Sequence, residues 1–274
     1  MMPEQVVPRD DEGNMHNDDD LPEIVPVPLA MVPHLKGTAI LLDIDGTLLD
    51  LMPTPREVWV PPGLSNTLNG LMERTSGALA LVSGRSLNDI DLIFAPDQFP
   101  AVGGHGAELR LERDGELAAN SAPPLDKELR RRLAAIARLS QGILLEDKGY
   151  SLALHYRLAP HAERQIFEAV SLIRGDLPNA PIEVLPGKFV CEIKHSGFTK
   201  ASGVQELMKH QPFQGRRPLF IGDDITDETV FAIMPDMNGL AFSVGRRARG
   251  VNGHFNTPND VRKFLAHLLD DSRV

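Results

Sequence analysis

Short apolar runs alternate with amphipathic stretches from residue 38 to about residue 108. Residues 38–42 and 78–82 are continuous apolar segments ended by turn residues, the pattern of strands buried on both faces of a parallel sheet. Between them, residues 63–75 read as a helix that stops at Gly77. After Ser83-Gly84-Arg85, Ser86 can cap a further helix over 87–94. Residues 101–108 supply a third strand and turn. Strand–helix–strand alternation of this kind predicts crossover units and a parallel sheet.

The rhythm changes between 109 and 193. Residues 109–117 read as a hairpin turning at Asp114-Gly115, and a long helix follows at 126–139. A second hairpin pairs 143–146 with 150–157 about Lys148-Gly149. A helix covers 161–174, and a third hairpin joins 182–185 to 189–193 about Pro186-Gly187-Lys188. Hairpins with helices between them predict an antiparallel α+β unit. The first pattern then resumes, with a helix at 199–210, a strand at 218–221, a helix from 226 to about 234, a strand at 240–244 and a helix at 259–270. The expected fold class is α/β, with a parallel-sheet core in two pieces (37–108 and 194–274) and an inserted α+β domain at 109–193.

Charge changes the picture only at one end. Of the net charge of −10, most lies in residues 1–24, where eight acids face Arg9 alone. The remainder has no basic footprint, so a nucleic-acid partner is not expected. Residues 1–36 are acidic and then interrupted by Pro22, Pro26, Pro28 and Pro33, the composition of a disordered tail and linker. Cys191 is the single cysteine, which excludes an intrachain disulfide and points to a reducing cytoplasm. It falls in an alternating strand, where a buried structural thiol is expected. No charged leader precedes an apolar stretch, and no run nears the ~18 apolar residues of a spanning helix, so neither a secretory signal nor a membrane partner is expected.

The candidate chemistry lies at the ends of the apolar runs. Asp43 and Asp45 follow the first strand two positions apart, then Gly46 turns the chain and Thr47 adds a hydroxyl. Ligands of open α/β sheets bind beyond the carboxyl ends of the strands. Two carboxylates there repel unless a cation or a shared proton relieves them, which suits a divalent metal beside a phosphate. An Asp-Gly turn with solvated charges is the alternative. Ser83 ends a second strand, Lys200 begins a helix, and Asp223, Asp224 and Asp227 follow another strand. Singly these are ordinary. Together they supply a carboxylate nucleophile, a second carboxylic acid for proton transfer, oxygen ligands for Mg²⁺, and a hydroxyl and an ammonium for phosphoryl oxygens.

In this order the motifs Asp43–Thr47, Ser83, Lys200 and Gly222–Asp227 resemble those of the haloacid dehalogenase superfamily of phosphatases, over residues 38–270. The resemblance implies a Rossmann-like core, with the inserted domain as a cap. It also implies Asp43 as nucleophile and Asp45 as general acid/base, giving its backbone carbonyl to Mg²⁺. Ser83 and Lys200 would bind phosphate, Thr47 and Gly84 would join them, and Asp223 would hold the metal with Asp43 and, one step behind, Asp227. Local wording at 81–85, 104–108, 154–157, 192–194 and 222–228 is similar to trehalose-6-phosphate phosphatases. That family implies a sugar-phosphate substrate contacted by Arg85, His105, Glu192 and Lys194.

Other readings of these residues stand beside it. Glu192 and Lys194 can be a solvated strand face, His105 a turn residue, and His155 and Arg157 structural parts of the cap. Ala201 after Lys200, and His195 in place of a proline, depart from the family pattern. The expected activity is Mg²⁺-dependent hydrolysis of trehalose 6-phosphate by a monomer. Sucrose phosphate, mannosylphosphoglycerate, a phosphomutase reaction and a catalytically silent sugar-phosphate module are the alternatives.

Overall fold

The computed structural model of the protein describes residues 32, 34–52, 58–118, 122–187 and 189–270. Its larger sheet has seven strands: β1 (Thr38–Leu42), β2 (Leu79–Val82), β3 (Ala101–Gly103), β4 (Glu108–Arg110), β9 (Arg217–Gly222), β10 (Leu240–Val244) and β11 (Gly253–Phe255). They lie in the order β11-β10-β9-β1-β2-β3-β4, parallel except for β4. Alternate residues of these strands feed two cores, because successive side chains point to opposite faces. Ile40, Leu42, Leu81 and Ile221 meet helices α1 (Leu64–Arg74), α2 (Leu87–Phe94) and α7 (Pro258–Asp270). Ala39, Leu41, Val82 and Phe220 meet α5 (Lys200–Leu207) and α6 (Glu228–Ile233). Burial on both faces explains why the strands read as unbroken apolar runs.

The smaller sheet is antiparallel, in the order β5-β6-β8-β7, from β5 (Leu144–Asp147), β6 (Ser151–His155), β7 (Ile182–Gly187) and β8 (Val190–His195). Leu152, Leu154, Cys191 and Ile193 pack on α3 (Lys127–Ala135) and α4 (Glu163–Asp176). The strand period leaves Glu192 and Lys194 on the opposite face. This is the α/β architecture with an inserted α+β cap that the residue pattern predicts.

Four expectations need correction. The turn at Asp114-Gly115 exists, closed by Gly115 N to Glu112 O at 3.2 Å, but among the described residues no second strand follows it. Instead β4 turns back on β3 and becomes the antiparallel edge of the core sheet, so the inserted domain does not begin with a hairpin at 109. The strand β8 runs through Lys194 and His195, past the expected limit of 193. The acidic tail stops short of 36, since Val32 and Leu35 are buried in the core; residues 1–31 and 33 lie outside the described residues, as does Lys188 of the third turn. Strand β11 was not anticipated: three residues, Gly-His-Phe, carry no readable period. Among the described residues no helix is long and apolar enough to cross a membrane.

Candidate active site

Strands β1 and β9 are neighbours in register, Leu42 beside Ile221, so Asp43 and Asp223 emerge side by side at the carboxyl edge. The Asp43 amide donates to Ile221 O at 3.0 Å. Helix α5 is started by a capping box in which Thr199 accepts from the Ser202 amide, which places Lys200 at the first helical position. The buried Lys200 Nζ then donates to Asp43 Oδ1 and Asp227 Oδ1, both at 2.7 Å. Asp227 Oδ2 accepts the amides of Asp223 and Asp224 at 3.0 Å each, so both its oxygens are engaged. Thr47 Oγ1 donates to Asp223 Oδ1 at 3.2 Å. Gly46 makes this approach possible: its φ is +79°, and a Cβ there would lie 2.1 Å from Asp223 Oδ2.

The electrostatics are those of crowded, buried carboxylates. Burial pushes the Asp43 carboxyl well above its ordinary range; Lys200 opposes this, and Asp227 and Asp223 add to it. Burial likewise raises Asp223, with Asp227 adding to the effect. Burial disfavours the Lys200 charge, but Asp43 and Asp227 outweigh it and hold the ammonium protonated. Asp43, Asp223 and Asp227 can each offer an oxygen within 4.8 Å of the others. An all-oxygen, acidic donor set fits a hard divalent cation, and Asp43 and Asp223 have more free lone pairs for it than Asp227. The Asp45 carboxylate is not in this group. It forms a two-pronged pair with Arg85, Nε to Oδ2 and Nη2 to Oδ1 at 2.6 Å each, leaving its backbone carbonyl as its route to a cation.

The loop after β2 is stapled from several sides. Ser83 is buried; its amide donates to Val102 O at 2.8 Å, and its hydroxyl accepts the Arg85 amide at 3.2 Å. Ser86 caps α2 through the Asp89 amide, as its position predicts. Glu108 accepts the Leu87 amide at 2.6 Å. His105 is a turn residue, in the left-handed region at φ 54°, and its ring also packs on Gly84, where a Cβ would lie 2.4 Å from Cε1. Burial lowers the His105 pKa to about 4 against the pull of Glu192, and its Nδ1 is buried without a hydrogen-bond partner.

The cap side is less open than a solvated strand face. Glu192 accepts from Ser151 Oγ at 2.8 Å and sits 3.8 Å from Lys148 Nζ. Lys194 is buried, bonded to Phe198 O at 2.5 Å and paired with Glu183 at 3.0 Å. Its ammonium is therefore held within the cap in this conformation. His155 pairs with Glu146 at 2.9 Å and Arg157 covers the Phe189 ring at 5.8 Å, structural positions in the cap.

Two contributors escaped the sequence reading. Arg246 Nε donates to Asp223 O and Nη1 to Glu228 Oε1, both at 2.7 Å, fixing the loop that presents Asp223. It stands two residues beyond the end of β10, so asking what lies past that strand, as was asked of the others, would have found it. Glu108 was seen only as part of a local phrase.

Comparison with known proteins gives the family. Residues 41–260 match the family model described as trehalose-phosphatase. The chain is 41% identical over 218 residues to a probable trehalose-phosphate phosphatase of Sinorhizobium fredii, covering 79% of this chain and 81% of that one. It is 35% identical over 239 residues to trehalose-6-phosphate phosphatase of Escherichia coli, covering 87% and 89%. In fold it is similar to the C-terminal domain of the Candida albicans trehalose-6-phosphate phosphatase, with TM-score 0.67 at 20% identity over 86% of this chain and 92% of that one. A solved structure of the Aspergillus fumigatus enzyme gives TM-score 0.60 at 21% identity, over 86% and 94%. With a family match across most of its length and relatives this similar, the chain belongs to the trehalose-phosphatase family and is a phosphoric monoester hydrolase.

Proposed function

We propose that this protein hydrolyses trehalose 6-phosphate to trehalose and inorganic phosphate, carrying the phosphoryl group transiently on Asp43. The observation that supports it most is Lys200, buried and bridging Asp43 and Asp227 beside Asp223. A fixed ammonium favours the ionised, nucleophilic form of Asp43 and then faces the negative oxygens of the phosphoryl group.

In the first step an Asp43 oxygen bonds to phosphorus, the bond from phosphorus to the sugar oxygen breaks, and Asp45 gives that oxygen its proton. In the second, Asp45 takes a proton from water as the water oxygen attacks phosphorus, releasing phosphate and restoring Asp43. Ser83, Thr47 and the Gly84 backbone would bind phosphoryl oxygens. Mg²⁺, held by Asp43, Asp223 and the Asp45 carbonyl with Asp227 orienting the loop behind them, would neutralise charge on the transferring group.

Asp45 starts as a carboxylate paired with Arg85, so it must leave that pair and take up a proton from solvent before the first step; the second step then returns it to the protonated form. The incoming phosphate offers Arg85 another anion, which couples substrate entry to release of the acid/base. Glu192 and Lys194 of the cap, with His105, would contact the sugar once Lys194 exchanges Glu183 for it, and the inserted domain would act as the closing unit that keeps bulk water from the intermediate. A reducing cytoplasm accords with the single buried Cys191.

Phosphate release across a panel of sugar phosphates, with and without Mg²⁺, tests the reading. The expected result is metal-dependent turnover with the highest kcat/KM for the trehalose ester. Equal or higher kcat/KM for sucrose phosphate or mannosylphosphoglycerate would overturn the substrate assignment.

A further inference from the structure

The turn between β5 and β6 brings the cap against the core at one aromatic residue. Tyr150 is 7% exposed, and its phenol lies on the backbone of Gly104, where a Cβ would stand 2.4 Å from the Tyr150 Oη. Gly104 has φ +56°, so the core leaves both the space and the backbone shape for this ring. The next residue, Ser151, holds the Glu192 carboxylate, and the residue after Gly104 is His105. Tyr150 thus stands at the seam where the proposed sugar contacts of cap and core meet.

Its hydroxyl is buried and makes no hydrogen bond of ordinary geometry among the described residues. Burial, the charges of Glu108 and Glu192, and the approach of the Glu108 carboxylate to the hydroxyl, outside ordinary hydrogen-bond geometry, hold the phenol above its usual range. Glu108 is already bonded to the Leu87 amide and Glu192 to Ser151. Buried polar atoms are rarely left unpaired, and an exception at a binding seam calls for a ligand partner. His105 Nδ1 is a second such atom one residue from the phenol's seat.

We propose that Tyr150 is a specificity-determining residue, whose hydroxyl bonds a hydroxyl group of the leaving sugar when the cap is closed on substrate. This rests on the sugar-phosphatase reading above. It adds a residue that no motif marked. The phenol can donate to a sugar oxygen or accept from a sugar hydroxyl, whereas an aryl or short alkyl phosphate has nothing to offer it.

The test is Tyr150→Phe in the full chain, which keeps the ring on Gly104 and removes only the hydroxyl. The readout is the ratio of kcat/KM for the sugar ester to kcat/KM for phenyl phosphate, both followed by release of inorganic phosphate. The ratio is expected to fall about five- to tenfold, the loss of one net hydrogen bond. The melting temperature of the ligand-free variant is expected to hold or rise, since an unpaired buried hydroxyl stabilises nothing. A ratio within twofold of the unaltered protein, or a lowered melting temperature showing that the hydroxyl has a structural partner, would overturn the proposal. The ratio is taken on whichever sugar 6-phosphate the unaltered protein hydrolyses best. A preference for another sugar would therefore revise the substrate reading without deciding this one.

Discussion

At the scale of single residues, the carboxylates and the lysine were legible because their chemistry is unsuited to a strand end unless it serves a site. Asp43, Lys200 and Asp227 are joined as their order in the chain implied. His105 was harder: its turn reading holds, since it sits in the left-handed region, and its ring also packs on Gly84, a contact that neither reading named. Its pKa of about 4 has a consequence for stability. Between about pH 4 and the ordinary value of 6.5 the unfolded chain binds the proton and the folded one does not. Stability is therefore complete above about 6.5 and falls as pH drops toward 4, by up to about 3 kcal/mol from this residue. His105→Asn, which tolerates the left-handed backbone, is expected to lessen that slope in denaturant titrations between pH 4 and 6.5. An unchanged slope would show that the imidazole titrates alike in the folded and unfolded chain. Arg246 and Tyr150 were silent in the sequence, because an arginine or a tyrosine in a turn has many ordinary uses.

At the scale of elements, runs such as 38–42 and 78–82 were read closely because burial on both faces leaves an unambiguous apolar string. The misreading at 109–117 came from a correct turn signal with the wrong partner: Asp114-Gly115 turns, but the strand before it pairs backward with β3. What secures β4 there is Arg110, 3% exposed, whose guanidinium meets both oxygens of Asp91 at 2.9 and 2.6 Å and donates to Phe99 O at 2.9 Å. No local pattern announces a pair that spans 19 residues. Arg110→Met, which leaves Asp91 without its partner, is expected to cost about 3 kcal/mol in chemical denaturation. A loss under about 1 kcal/mol would mean that the edge strand holds by its ladder alone. Strand β11 lay below the length at which period can be read.

At the scale of the whole molecule, two sheets of different kind divide the work: one gathers acids and a lysine at its carboxyl edge, and the other brings a polar face to meet them. The raised Asp43 and Asp223 carboxyls make the site a proton and cation competitor. Mg²⁺ at a hundred times its dissociation constant is expected to stabilise the fold by about 2.7 kcal/mol. That shift should shrink as pH falls, because protonation of the raised carboxyls then competes with the metal. Asp223→Asn should abolish it, and a full shift in that variant would place the cation elsewhere. The central claim is that Asp43 carries the phosphoryl group. Rapid acid quench during turnover of trehalose 6-phosphate with Mg²⁺, followed by peptide mass spectrometry, tests it most directly. The account predicts a phosphoryl adduct on Asp43, absent along with turnover in Asp43→Asn; an adduct on another residue, or undiminished turnover in that variant, would contradict it.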